Sequence, residues 1–151
     1  MKKLFLLIAI LGTYAGALAQ DANPRFNKKL ADSLGADEYG MKMYTMVILK
    51  SGPVKIEDKV VRDSIFRGHM NNIGRMAKMG KLVMAGPFET NDLKYRGIYI
   101  FNATLDETKQ LVLSDPAVKA KVLDTEIFQW YGSAALPLYL DAHETLWTKK
   151  P

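Results

Sequence analysis

Two segments of this 151-residue chain are apolar at both parities, and nothing else in the sequence limits the fold as much. In residues 42–50 (KMYTMVILK) Met46 and Ile48 alternate with Val47 and Leu49. In residues 95–102 (YRGIYIFN) Ile98 and Ile100 alternate with Tyr99 and Phe101. Successive side chains of a strand point to opposite faces of its sheet. Strands with this pattern therefore need cover on both faces.

The remaining elements say what supplies that cover. Residues 57–79 form the longest helical pattern. Val61, Ile65, His69, Ile73 and Met76 fall at three- and four-residue spacing, and Phe66, Met70 and Ala77 widen the stripe. Gly80 follows at the position that suits a left-handed C′ residue, and Gly74 inside the helix suggests a close backbone approach. Lys81 to Ala85 predicts a short strand closed by a Gly86-Pro87 turn, followed by the strand at 95–102. Thr104-Leu105-Asp106-Glu107 matches a capping box and starts a helix near residue 105. Asp115 as N-cap and Pro116 as first residue start a short helix over 116–123. Thr125 to Tyr131 is the last strand. The order β-α-β-β-α-β predicts an α+β, ferredoxin-like antiparallel sheet with helices on one face. Two helices leave the other face bare. An exposed apolar face of that kind marks an interaction site, and a second copy packed sheet against sheet, a symmetric homodimer, covers it most economically.

Around this domain (residues 42–133) lie three further segments. Residues 1–19 carry Lys2 and Lys3, an apolar run from Leu4 to Leu11, and Ala17-Leu18-Ala19. These are the parts of a secretory signal peptide cleaved after Ala19, and they predict a periplasmic or secreted protein. The apolar run is short against the roughly 20 residues of a spanning helix, and no second such stretch follows, so no membrane attachment is expected after cleavage. Residues 20–41 are polar, with Phe26, Leu30 and Leu34 spaced for a short helix that packs on the domain. Residues 134–151 form a C-terminal tail. The formal charge is +5, two units of it at Lys2 and Lys3, too small and scattered to imply a nucleic-acid partner. The chain has no cysteine, which excludes disulfides, thiolate metal sites and a cysteine nucleophile.

Gly68-His69-Met70, the run Gly80-Lys81-Leu82-Val83-Met84-Ala85-Gly86-Pro87, Asp115-Pro116 and Phe128-Gln129-Trp130-Tyr131 occur in that order. Together they resemble the YCII-related (YciI-like) family of dimeric α+β barrel proteins, over about residues 42–133. The segments around Gly35 to Lys42 and Trp130 to Leu136 look like an exported branch of that family from Bacteroidetes-like bacteria. The resemblance implies a ferredoxin-like protomer, dimerisation through the sheet, and a His–Asp pair in a pocket, here His69 and Asp115. Many relatives carry an arginine three residues before the histidine; this chain has Phe66 there and Arg67 beside it.

His69 sits on the apolar stripe of its helix and should face the sheet. Histidine is the side chain whose ordinary titration lies near neutral pH. An aspartate accepting one ring N–H would leave the other nitrogen to act as base or acid. The alternative is a core histidine satisfied by one hydrogen bond. Asp115 has its own alternative, capping the helix at Pro116, and its two oxygens could serve both purposes. Gly86 and Pro87 form a turn or hold backbone N–H groups open to a ligand. Trp130 packs in the core or dimer, or lines the pocket wall. Ser114 lacks an evident base, and no G-x-S-x-G elbow is present. His69 and His143 are the only histidines and show no metal-ligand spacing, so neither a metal nor a cofactor is expected.

Two functions follow. One is a small-molecule enzyme of hydrolase, isomerase or lyase type, with His69 as proton carrier, Asp115 as its orienter, and Gly86, Pro87 and Trp130 at the substrate. The other is a non-catalytic, small-ligand-binding or accessory dimer.

Overall fold

The computed structural model describes residues 23–148. The signal segment expected at 1–19 and the last three residues of the tail lie outside them. Four strands form one antiparallel sheet: β1 (Met41–Ser51), β2 (Leu82–Pro87), β3 (Tyr95–Phe101) and β4 (Leu123–Ser133), in the order β2-β3-β1-β4. Helix α1 (Lys28–Leu34) precedes the sheet, α2 (Lys59–Lys78) joins β1 to β2, and α3 (Leu105–Leu113) and α4 (Pro116–Lys119) join β3 to β4. This is the ferredoxin-like βαββαβ arrangement. The two strands that are apolar at both parities, β1 and β3, are the two central ones, where neither face can be left to water.

Residues of one parity meet the helices. Val47, Leu49, Tyr99 and Phe101 are buried against Met76 of α2, Leu111 and Val112 of α3, and Ala117 of α4. The other parity builds a second cluster of Tyr44, Val83 and Ile100, with Met46, Met84, Ile98, Trp130 and Leu136 packed against it. Leu136 belongs to the tail, which is ordered as a 3-10 turn (Leu136–Leu138) and a short helix α5 (Tyr139–His143). The Tyr139 hydroxyl donates to the Val83 carbonyl at 2.6 Å. The second face is therefore not wholly bare, as two helices alone would leave it; the chain's own tail covers part. Phe128 on that face stays 45% exposed.

The helix ends follow their caps. Asp58 accepts from the N–H groups of Val60 and Val61 to open α2. Gly80, at φ +67°, closes it as Gly80 N–H donates to Ala77 and Lys81 N–H to Met76, a Schellman motif. Thr104 accepts from the Glu107 N–H at the start of α3, while the Glu107 carboxylate pairs with Lys81 at 2.9 Å.

Four expectations are corrected. Gly86 and Pro87 do not form a turn; they continue β2 and pair with Ile98 and Gly97. β2 is an edge strand, the place in a sheet where proline is tolerated. The helix at Pro116 stops at Lys119 because Lys121 takes a left-handed conformation (φ 56°) and Val122 N–H returns to Ala117. The same cap is made without the glycine that would announce it. Gly74 makes no close approach, since a Cβ there would meet open space. Helix α1 has no buried residue; Phe26 just before it is 65% and Leu30 42% exposed, and only its end touches the domain, where Leu34 is half-buried and its carbonyl accepts from Lys42 Nζ at 3.0 Å.

Candidate functional site

The close approach inside α2 is at Gly68. A Cβ on this residue would lie 2.9 Å from Pro116 Cγ and 3.3 Å from Pro116 Cβ. Its bare Cα lets the first turn of α4 press directly onto α2, and that contact brings the following residue of α2, His69, to the residue before Pro116, Asp115. The pairs Gly68-His69 and Asp115-Pro116 thus interlock, although they are remote in sequence.

Asp115 is 1% exposed and both its oxygens are used. Oδ1 accepts from the Ala117 N–H at 2.8 Å and caps α4. Oδ2 lies 3.0 Å from His69 Nδ1 and accepts from Asn72 Nδ2 at 3.2 Å. Burial pushes the carboxyl's pKa up, but the hydrogen bond and charge of His69 and the donations from Ala117 and Asn72 outweigh it and hold it below its ordinary 3.8. An ionised carboxylate only accepts, so Nδ1 carries a proton, and whenever the ring is neutral its free lone pair is on Nε2. That nitrogen meets the Tyr99 hydroxyl at 3.4 Å. Burial foremost, with the charge of Asp115, pushes the Tyr99 phenol far above its ordinary value, so it stays a donor. The rings of His69 and Tyr99 stack at 6.3 Å, and Phe66 meets His69 edge-on at 6.0 Å. An arginine at that place would have put a cation beside the imidazole; Phe66 puts an uncharged aromatic ring there instead.

His69 and Asp115 are thus brought together, and the other named residues are not gathered around them. Trp130 lies on the opposite face of the sheet, tilted against Tyr44 at 5.8 Å. Its ring occupies the space where a Gly132 side chain would be. Gly86 shares that second face through its pairing with Ile98, and Pro87 lies beyond Tyr99 on the edge strand. Ser114 caps α3: its hydroxyl donates to Leu111 at 2.6 Å and accepts from Arg75 at 2.8 Å, so nothing there draws its proton away. Arg62 donates to the Ile56 carbonyl. Asn72, Arg75 and Tyr99 join the site without having been singled out from the sequence. Asn72 could have been found, because it falls on the His69 and Met76 stripe of α2 where a polar residue needs a partner.

His69 is 8% exposed. A hollow of about 450 Å³ at the start of β1, lined by Met43, Thr45, Asn102, Glu107 and Gln129 among others, does not reach it. Neither does an open one on the outer flank of α2, lined by Asp63, Phe66, Arg67, Met70 and Asn71. Among the described residues no three His, Asp or Glu side chains are gathered that could hold a metal ion, and no helix is long and apolar enough to cross a membrane.

No protein-family model and no curated protein matches this chain. Among solved structures it is similar to 5-chloro-2-hydroxyhydroquinone dehydrochlorinase (TftG) from Burkholderia phenoliruptrix AC1100, in complex with 2,5-dihydroxybenzoquinone. The two share 23% identity over 58% of this chain and 92% of that one, with a TM-score of 0.43.

Proposed function

We propose that this protein is an exported, homodimeric small-molecule enzyme of the YCII-related type, in which His69 carries a proton and Asp115 orients it. The observation that carries the reading is the state of Nε2. Asp115 fixes the proton on Nδ1, and the basic nitrogen is met only by a long contact of 3.4 Å to Tyr99. A bond of that length is weak, and an acidic O–H or C–H of a bound substrate can replace it. As the substrate proton moves to Nε2, the new imidazolium gains a charge-assisted bond to Asp115. The proton then returns to the product, and the enzyme is unchanged. The dimer rests on the part of the second sheet face that the tail leaves open, where Phe128 is exposed beside Met46, Ile48 and Ile98. Export rests on residues 1–19.

The test is turnover on a panel of small enols, hydroxy acids and phenols. His69→Ala and Asp115→Asn should each abolish it in a folded dimer, and undiminished turnover in both would sink the assignment. A second, non-catalytic reading has the burial of His69 in its favour: the pair then pins α4 to α2, or serves ligand capture without chemistry. Diethyl pyrocarbonate, which acylates accessible imidazole nitrogens, separates a working base from a pin. The enzyme reading expects modification of His69 as well as exposed His143; a His69 inert in the folded protein leaves only the pin.

A further inference from the structure

A chain of hydrogen bonds runs inward from the surface to the His–Asp pair. Arg75 is exposed on α2. Its Nε and Nη2 donate to Asn72 Oδ1 at 3.1 and 2.8 Å, and Nη2 also donates to Ser114 Oγ at 2.8 Å. Asn72 Nδ2 donates in turn to Asp115 Oδ2 at 3.2 Å. The direction of the chain is dictated by what its ends can do. A guanidinium only donates, so it must meet the amide oxygen. An ionised carboxylate only accepts, so it must meet the amide nitrogen. Turning the Asn72 amide over would set donor against donor at one end and acceptor against acceptor at the other.

We propose that Asn72 and Arg75 are positioning residues for this pair: Arg75, braced by Ser114, pins the Asn72 amide, which supplies Asp115 with a second side-chain donor and aims its Oδ2 at His69. Three features support this. Asn72 is 8% exposed and lies one turn beyond His69 on the same stripe, so its amide cannot turn to water. Ser114, the C-cap of α3, directly precedes Asp115, so Arg75 ties α2 to the junction of α3 and α4 just before the carboxylate. The guanidinium is held on three sides, with Nε and Nη2 on Asn72, Nη2 on Ser114 and Nη1 on Met79 Sδ at 3.2 Å, which fixes it along α2. The titratable groups facing Asp115 are His69 from α2 and Tyr99 from β3; Asn72 is the uncharged donor that completes its shell.

The inference rests on the proposed role of His69, but its test is independent of turnover. Two signals are followed in the full chain by NMR: the carboxyl carbon of Asp115 across acid pH, and the hydrogen-bonded Nδ1 proton of His69. In Asn72→Leu, similar in size and without the donor, the proton affinity of Asp115 should rise roughly tenfold to a hundredfold, as the loss of one bond to a charged acceptor implies. Arg75→Ala, an exposed change that spares the core, should move both signals in the same direction by less, and Arg75→Lys, which keeps one donor, should restore part of the difference. A purely structural role would lower the unfolding midpoint of these variants and leave both signals in place. Unmoved signals in Arg75→Ala overturn the proposal even if Asn72→Leu does not fold. If they move while His69 resists acylation, the relay stands and the catalytic reading falls.

Discussion

Alanine at Gly68 and at Gly74 should change stability in opposite directions, although both glycines lie in α2. In open helix, replacing glycine by alanine gains about 1 kcal/mol. At Gly74 nothing lies within 4 Å of the new Cβ, so the full gain is expected there. At Gly68 the new Cβ would sit 2.9 Å from Pro116 Cγ, well inside ordinary carbon contact, and the proline ring is tied to the backbone at the start of α4. Relieving the clash requires α2 and α4 to part by roughly half an ångström or more, and overpacking of this kind costs about 1–3 kcal/mol. The same displacement stretches the 3.0 Å bond between His69 and Asp115 toward lengths at which a hydrogen bond is lost. Net of the helix gain, Gly68→Ala should be neutral to destabilising by about 2 kcal/mol, and the two variants should differ by about 1–3 kcal/mol. Urea unfolding with unchanged m-values measures the difference directly. Equal stabilisation by both would refute the interlock of Gly68 with Pro116, and with it the account of how Asp115 reaches His69.

Asp115→Asn keeps a helix-capping side chain but removes the charge, and at neutral pH should cost about 1–3 kcal/mol. Because the folded carboxyl titrates below 3.8, its contribution is fully present above about pH 4 and lost as pH falls through the folded value; the wild-type and variant stability curves should therefore converge in acid, and a constant gap down to pH 2 would contradict the ionised pair. Gly132→Ala must displace the Trp130 ring from the strand; near-ultraviolet circular dichroism should lose part of its aromatic signal, with a stability loss of about 1–3 kcal/mol. Phe128→Asp should turn the proposed dimer into a monomer in sedimentation velocity while leaving helix content unchanged; a dimer that survives it does not use the open part of the second face.

The sequence carried more of the fold than of the site, for a physical reason. Burial on two faces is written into each strand by its own period, so the central places of β1 and β3 are legible one segment at a time. Local caps are equally legible: Thr104 with Glu107, Gly80, and Asp115 with Pro116 satisfy backbone groups within a turn of themselves. Where a cap is made by an unusual residue, as by Lys121, the boundary is lost. His69 is legible because it interrupts an apolar stripe, and the family resemblance points to Asp115 as its partner; its contact with Tyr99, from a strand remote in the chain, is not legible.

What the amino-acid sequence determined by itself is the α+β order of elements, the need for cover on both faces of the sheet, and the separate presence of a helix histidine and a capping aspartate. Only the tertiary structure decided that Gly68 rather than Gly74 takes the close contact, that Asn72 and Tyr99 complete the shell around the pair, that Trp130 and Gly86 lie across the sheet from it, and that the tail folds over the second face. Each of these depends on contacts between residues distant in the chain. Periodicity and capping act within a few residues, whereas such contacts exist only once whole elements have docked.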